Sequence, residues 1–221
     1  EDVWVTVEED VEEEEPGYWA EDGSWTQCND IELTFFATDG EDEAPAEDDH
    51  LTPAYVEADP EVPAELQGME LHQVTPAKLA PMVMAVVKVE GPVHLDEVTA
   101  RLRDAWGLGR AGARIQAAVR AAASYAIRRR HLVDEGWFLS LPGEPVRIRD
   151  RSAVTSAGLR KPELLPPAEI EAGLMRIAAE NLGVTREELQ RQLARMLGFR
   201  ALSAGLRSVT EDEIRRLTER R

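Results

Sequence analysis

From residue 76 onward, apolar residues recur at spacings of three and four positions, which is the period of an amphipathic helix. Two stretches of this kind each predict a helix, a short extended piece, a second helix, a turn and a third helix. In the first stretch, Ile115, Val119, Ala122 and Ala126 share one face of the third helix. The pattern therefore predicts two helical units of three helices each.

The two stretches are related by a gapless shift of 91 residues. Over about 40 residues, apolar positions of the first stretch fall on apolar positions of the second, and a glycine falls on a glycine after the second helix. Such self-similarity is the signature of duplicated structure. The matched pairs include Leu79 with Ile170, Val83 with Leu174, Val98 with Leu189, Leu102 with Leu193, Gly107 with Gly198, and Ile115 with Leu206.

After the first three helices, residues 132–141 and 146–149 alternate between apolar and polar around the turn sequence PGEP at 142–145. Three helices followed by a β-hairpin is the plan of a winged helix, an elaborated helix-turn-helix. The second copy reaches Arg221 before any such hairpin, so its wing is expected to be missing. The predicted fold class is mainly α (α+β), with two tandem winged-helix-like units.

The first 75 residues have a different character. Residues 3–7, 17–19 and 31–36 alternate like short strands, but acidic runs separate them. Residues 39–49 have a composition that cannot bury enough surface to fold alone. We therefore predict an acidic segment with strand-like pieces at 1–38, an acidic linker at 39–75, a first repeat at 76–151, a linker at 152–166 and a second repeat at 167–221.

The net charge of −18 hides an asymmetry between these parts. Residues 1–75 contain 25 acidic residues and no lysine or arginine, whereas residues 76–221 contain 18 acidic and 25 basic residues. This division indicates an acidic arm attached to a mildly basic module.

Two motifs in the first repeat, VEGPVH at 89–94 and WGLGRAGARI at 106–115, carry a family resemblance. They resemble the C-terminal domain of unknown function in large bacterial superfamily I helicase proteins. Those proteins often place a nuclease domain like that of very-short-patch repair just before it. The resemblance continues through WFL at 137–139, VRIRDR at 146–151, PPAEI at 166–170 and LGF at 197–199. The resemblance covers roughly residues 51–221, not the first fifty. It implies a parent protein acting on DNA, with genome defence as one setting, and supplies no catalytic residue here.

The motifs of several enzyme classes are missing from the sequence. No phosphate-binding GxxxxGK[ST] loop occurs, and the four histidines are scattered without metal-ligand spacing. His94 has no nucleophile nearby, so we interpret it as a helix cap or a packed side chain. The sequence predicts no catalytic residue, no metal site and no cofactor.

Composition also bears on the location of the protein. Cys28 is the single cysteine, no run of about 18 apolar residues occurs, and no secretory leader is visible. Together these features favour a cytoplasmic protein without a membrane segment. Because the sequence begins at Glu1, we expect it to be a fragment of a longer chain.

Arginines supply the candidate site. They lie at the start of the third helix of the first repeat, on the side of that helix away from Ile115, and at the end of the predicted wing. Helix-turn-helix relatives contact DNA with a helix in the major groove and flanking groups on phosphates. The competing interpretation is that these arginines solvate a surface and pair with Asp104, Glu135 or Asp150. The candidate residues are Arg110, Arg114, Arg120, Arg128, Arg147, Arg149 and Arg151.

The sequence thus favours an accessory nucleic-acid-binding module of a bacterial helicase or nuclease protein, whose partners are the phosphate backbone of DNA and the parent's other domains. The alternative is a protein–protein docking module whose acidic arm contacts a basic partner. Fold alone does not separate the two functions.

Overall fold

The computed structural model describes residues 17–19, 25–27, 52–181 and 183–219. In the acidic segment, β1 (Gly17–Trp19) pairs antiparallel with β2 (Trp25–Gln27). The strand predicted at residues 17–19 is confirmed, whereas β2 was not predicted. The strands predicted at 3–7 and 31–36 lie outside the described residues.

The first unit combines three helices with a small antiparallel sheet. Its strand order is β3-β5-β4, so the strand that precedes the second helix pairs with the far strand of the hairpin. This order of helices and strands is that of a winged helix, and the predicted mainly α (α+β) class is confirmed. In chain order the elements are α1 (Pro76–Glu90), β3 (Val93–His94), α2 (Leu95–Ala105), α3 (Ala113–Arg128), β4 (Val133–Glu135) and β5 (Phe138–Ser140).

The hairpin turns earlier than predicted. Glu135 pairs with Phe138 across the turn, so the loop consists of Gly136 and Trp137 rather than residues 142–145. Residues 146–149 form no strand. Because this segment runs between the two units, Ile148 contributes to the second core instead of to a wing.

The second unit repeats the helices of the first. It consists of α4 (Pro167–Glu180), α5 (Arg186–Met196) and α6 (Ala204–Glu219). Adding 91 to the first and last residues of α2 and α3 gives those of α5 and α6, and α4 begins 91 residues after α1. The helix bounds therefore agree with the shift found in the sequence.

Capping residues explain where the second helix of each unit begins. His94 Nδ1 accepts a hydrogen bond from Asp96 N at 3.2 Å, and Thr185 Oγ1 accepts one from Glu188 N at 3.3 Å. Each side chain satisfies a backbone N–H that has no partner within the helix. The interpretation of His94 as a cap is confirmed.

Each unit has its own hydrophobic core, and equivalent residues of the repeat occupy equivalent places. In the first core, Val83 and Leu102 are fully buried, as are Leu174 and Leu193 in the second. Ile115 is an exception, because it is only partly buried whereas Leu206 is fully buried.

Both predicted linkers are in part wrong. In the first, residues 52–75 belong to the fold: Leu66 and Leu71 lie in short 3₁₀ helices and are buried in the first core. In the second, Val154 and Leu159 are buried against Tyr55. The predicted limit at residue 151 therefore lies inside a shared packed segment, because apolar side chains on both sides of it are covered.

Gly198 shows how closely the second unit approaches that segment. Its φ of +81° is in the left-handed region that favours glycine, as a residue following a helix often is. A β-carbon there would meet the side chain of Asp150 and lie 2.7 Å from Arg151 N. At the equivalent Gly107, with φ +64°, nothing lies within 4 Å.

We predict that Leu102→Ala and Leu193→Ala each lower the free energy of unfolding by about 2–5 kcal/mol, because each truncation leaves a cavity in a closed core. Urea denaturation measures this change. Gln116→Ala, on the exposed side of α3, is the control and should shift stability by no more than about 0.5 kcal/mol. A midpoint unchanged by either leucine substitution would show that these residues do not form the cores.

Candidate nucleic-acid interface

The outward side of α3 carries three of the candidate arginines. With 3.6 residues per turn, Arg114, Arg120 and Arg128 fall within an arc of about 120° on the side opposite the buried residues. All three are exposed, and the positions between them are small: Ala117, Ala121 and Ser124. We call Arg114, Arg120 and Arg128 with these small residues the α3 face.

The carboxylates expected to neutralise these arginines do not do so. Asp104 pairs with its neighbour Arg103, at 2.6 Å, and Asp150 accepts hydrogen bonds from Ser152. Among the described residues, no ion pair involves Arg114 or Arg128, and the same is true of the exposed Arg110 and Arg147. Their positive charge is therefore available to a ligand.

The hairpin tip lies beside the α3 face. The guanidinium carbon of Arg120 is 4.7 Å from the centre of the Trp137 ring, a cation–π contact. Trp137 has a φ of +74° and follows Gly136 at +65°, so both loop residues have the positive φ of a type I′ turn. Asp134 Oδ1 accepts a hydrogen bond from Trp137 N at 2.7 Å, which fixes the turn.

The sequence did not identify Trp137 as a site residue, because the alternation predicts one continuous strand over residues 132–141. The signal that could have located it is Gly136, which interrupts the alternation and supplies a positive φ. Placing an aromatic residue in the left-handed region raises the conformational free energy by about 1–2 kcal/mol. Local backbone stability therefore does not explain why a tryptophan occupies position 137.

Two candidate arginines are not at the surface. Arg149 and Arg151 are only 8% and 3% exposed. The expectation that they leave a wing toward solvent is wrong, because their segment is covered by both units. Arg147, in the same segment, is exposed.

Glu169, at the start of α4, binds both buried arginines. Its carboxylate accepts hydrogen bonds from Arg149 N at 2.8 Å and from Arg149 Nη2 at 3.1 Å. Arg151 donates from Nη1 at 3.0 Å and also from Nη2. Glu169 is 0% exposed, so its charge is neutralised within the protein.

Arg149 also reaches the first unit. Its Nη1 donates to the backbone carbonyl of Glu90 at 2.6 Å, and its Nη2 donates to that of Pro92 at 2.9 Å. One guanidinium thus joins the carboxyl end of α1 to the first turn of α4.

A second buried carboxylate, that of Glu90, anchors the segment before the first unit. It accepts hydrogen bonds from Tyr55 Oη at 2.8 Å, Ala58 N at 2.8 Å and Arg101 Nε at 2.6 Å. Among the described residues, no buried side-chain nitrogen or oxygen lacks a hydrogen-bond partner. Charges taken out of water are costly unless they are paired in this complete way.

Tyr55 lies between the two carboxylate centres. The guanidinium carbons of Arg149 and Arg151 are 4.5 and 5.0 Å from its ring centre. Burial, followed by the neighbouring charge of Glu90, raises the pKa of the Tyr55 phenol far above its usual range, so it remains a neutral donor. We call Tyr55, Glu90, Arg101, Arg149, Arg151 and Glu169 the buried ion network.

A different kind of surface lies at the turn between α2 and α3. Met69, Trp106, Leu108 and Ile115 line an open apolar groove, with Arg114 at its edge. Trp106 Nε1 donates to the carbonyl of Met69 at 3.0 Å, which leaves the indole ring in the groove wall. We call this the α2–α3 groove.

The described part of the chain offers neither a metal site nor a membrane segment. No three His, Cys, Asp or Glu side chains come together there in a way that could hold a metal ion. None of the helices in these residues is long and apolar enough to span a membrane.

One part of the chain is similar to a known protein family. Residues 69–117 match the model of a family described as a protein of unknown function (DUF3320). The match covers about a fifth of the chain, from just before the 3₁₀ helix at Leu71–Gln73 into α3. No curated protein and no solved structure matches the chain. The expected domain of unknown function is supported, and the helicase or nuclease context stays a prediction.

Glu57 makes the stability of this region depend on pH. Burial alone would raise the pKa of its carboxyl, but hydrogen bonds from Thr155 and Ser156, together with Arg101, hold it below the usual 4.5. The Glu57 carboxyl therefore takes up a proton more readily in the unfolded chain than in the folded protein. The stabilisation is therefore present above about pH 4.5 and is lost as the pH falls through the lower folded value.

We predict that the free energy of unfolding of the wild type falls on acidification below about pH 4.5, and that Glu57→Gln makes this fall shallower. Urea denaturation at a series of pH values measures both profiles. Glu61→Gln removes an exposed carboxylate of the same segment and should leave the wild-type slope unchanged. Parallel profiles for the wild type and Glu57→Gln would contradict the prediction.

Proposed function

We propose that this chain is a nucleic-acid-binding module that contacts DNA phosphates through the first unit. The observation that carries the proposal is the α3 face: Arg114 and Arg128 are exposed, without an ion pair among the described residues, and separated by small side chains. Arginines on one side of a helix can contact the two phosphate backbones of a groove. The small residues let the helix approach closely.

The position of α3 in the fold supports this assignment. In helix-turn-helix proteins the helix after the turn is the one that enters the major groove. Here α3 follows the turn after α2, and Arg110 lies in that turn. The hairpin β4–β5 has the position of a wing, and its tip lies beside the α3 face.

Charge sets the expected strength of binding. Residues 76–151 carry 13 basic and 8 acidic residues, but Arg101, Arg149 and Arg151 are buried in ion pairs. Asp134 and Glu135 are exposed on the hairpin. The excess of basic over acidic residues in 76–151 is only five, so we expect weak binding through the backbone, with little recognition of base sequence.

Within a longer protein, such a module would bring a catalytic domain to DNA. The family resemblance supports a bacterial helicase or nuclease as the parent, acting in genome defence. In this proposal the chain itself supplies no catalytic residue or cofactor, and its partners are DNA and the other domains of the parent.

The α2–α3 groove favours a second candidate function, a protein docking module. Its apolar walls, Met69, Trp106, Leu108 and Ile115, could take the apolar side of a peptide. The acidic arm, with 25 acidic and no basic residues before residue 76, would then contact a basic partner.

We predict that the chain binds duplex DNA with an affinity that falls steeply with salt, and that Arg114→Ala with Arg128→Ala weakens it. Each arginine that neutralises a phosphate releases counterions, so removing one should flatten the slope of log affinity against log salt by about one. Fluorescence anisotropy over a salt series measures the slope.

The matched control is Lys78→Ala with Lys88→Ala, which removes the same charge from exposed positions of α1. It should leave the slope unchanged. Absence of salt-dependent binding by the wild type would refute the proposal in favour of docking, and an equal effect of the two double variants would show attraction to net charge only.

A further inference from the structure

Trp137 combines a strained backbone conformation with an exposed aromatic ring. It is 40% exposed, and it has a positive φ at the tip of a two-residue loop. Among the described residues, Arg130 is the only other non-glycine with a positive φ. Strained positions of this kind persist where the surroundings hold them, and they cluster at functional sites.

The surroundings of Trp137 define the chemistry of its partner. Arg120 packs against the indole ring, which connects the ring to the α3 face. Asp134 and Glu135 flank the loop and are exposed. Their negative charges repel phosphate from the tip, so a ligand there must present something other than its backbone.

We propose that Trp137 stacks on an unpaired nucleobase where a duplex ends in a single strand. Every base has a π-face suited to an indole ring, and a neighbouring arginine adds attraction. Within a duplex those faces are covered by the stack, whereas an unpaired base in a single strand exposes both of its faces. The inference rests on the proposed DNA binding: the α3 face holds the duplex, and the hairpin tip meets the base beyond its end.

The test compares three probes: a blunt duplex, the same duplex with an unpaired thymine tail, and the tail alone. Trp137→Asn is the main variant, because asparagine tolerates the left-handed region and preserves the turn. Trp137→Phe keeps an aromatic ring. The full chain is used throughout, at one low salt concentration.

We expect the wild type to prefer the tailed duplex over the blunt one, and Trp137→Asn to weaken tailed binding by about tenfold while leaving blunt binding within about twofold. Trp137→Phe should restore most of the preference. Tailed DNA should quench tryptophan fluorescence in the wild type, and the part of the quenching that depends on residue 137 should disappear in Trp137→Asn.

Three results would overturn the inference while leaving the proposed function intact. One is a wild type that binds tailed and blunt duplex equally. Another is Trp137→Asn weakening both equally, which would indicate a disturbed hairpin. The third is a preference that survives Trp137→Asn, which would assign the contact with the unpaired base to another part of the chain. Failure of the proposed function appears differently, as no salt-dependent binding of any probe by the wild type.

Discussion

The carboxylate of Glu169 fixes the two units relative to each other, because it binds the two arginines that lie between them. Arg149 completes the connection by donating to the backbone carbonyls of Glu90 and Pro92. Replacing such buried pairs with apolar residues is often neutral, but removing one partner costs about 3–5 kcal/mol, since a buried charge is left uncompensated. The buried ion network therefore sets the relative position of the two units rather than adding much stability.

This constraint also decides which arginines remain for function. Arg101, Arg149 and Arg151 are used in the interior, where their partners are Glu90 and Glu169. The arginines that remain exposed on the first unit include those of the α3 face, and the hairpin tip is attached to this face through Arg120 and Trp137. A ligand that contacts this surface meets a fixed arrangement of helix and hairpin. The helix α3 packs against α1 and α2, and β3, which leads into α2, pairs with β5 of the hairpin.

The helices and their repetition could be predicted from the sequence, because apolar period, capping residues and glycines are local signals. The face of α3 could be predicted for the same reason. The burial of Arg149 and Arg151 could not be predicted, since alternation in residues 146–149 indicates a strand with one exposed side. In the structure both units cover Arg149 and Arg151, whereas Arg147 remains exposed. Tyr55 and Glu57 were assigned to a linker because acidic composition conceals the few residues that anchor a segment through long-range hydrogen bonds.

The most direct test of this account is hydrogen exchange of the amides of α1 and α4 in Glu169→Gln. Because the network joins both units, the account predicts that the slowest-exchanging amides of α1 and α4 lose protection together. Glu163→Gln, an exposed carboxylate of the same region, should change neither helix. Loss of protection confined to α4, with α1 unchanged, would contradict the claim that the buried ion network makes the two units one body.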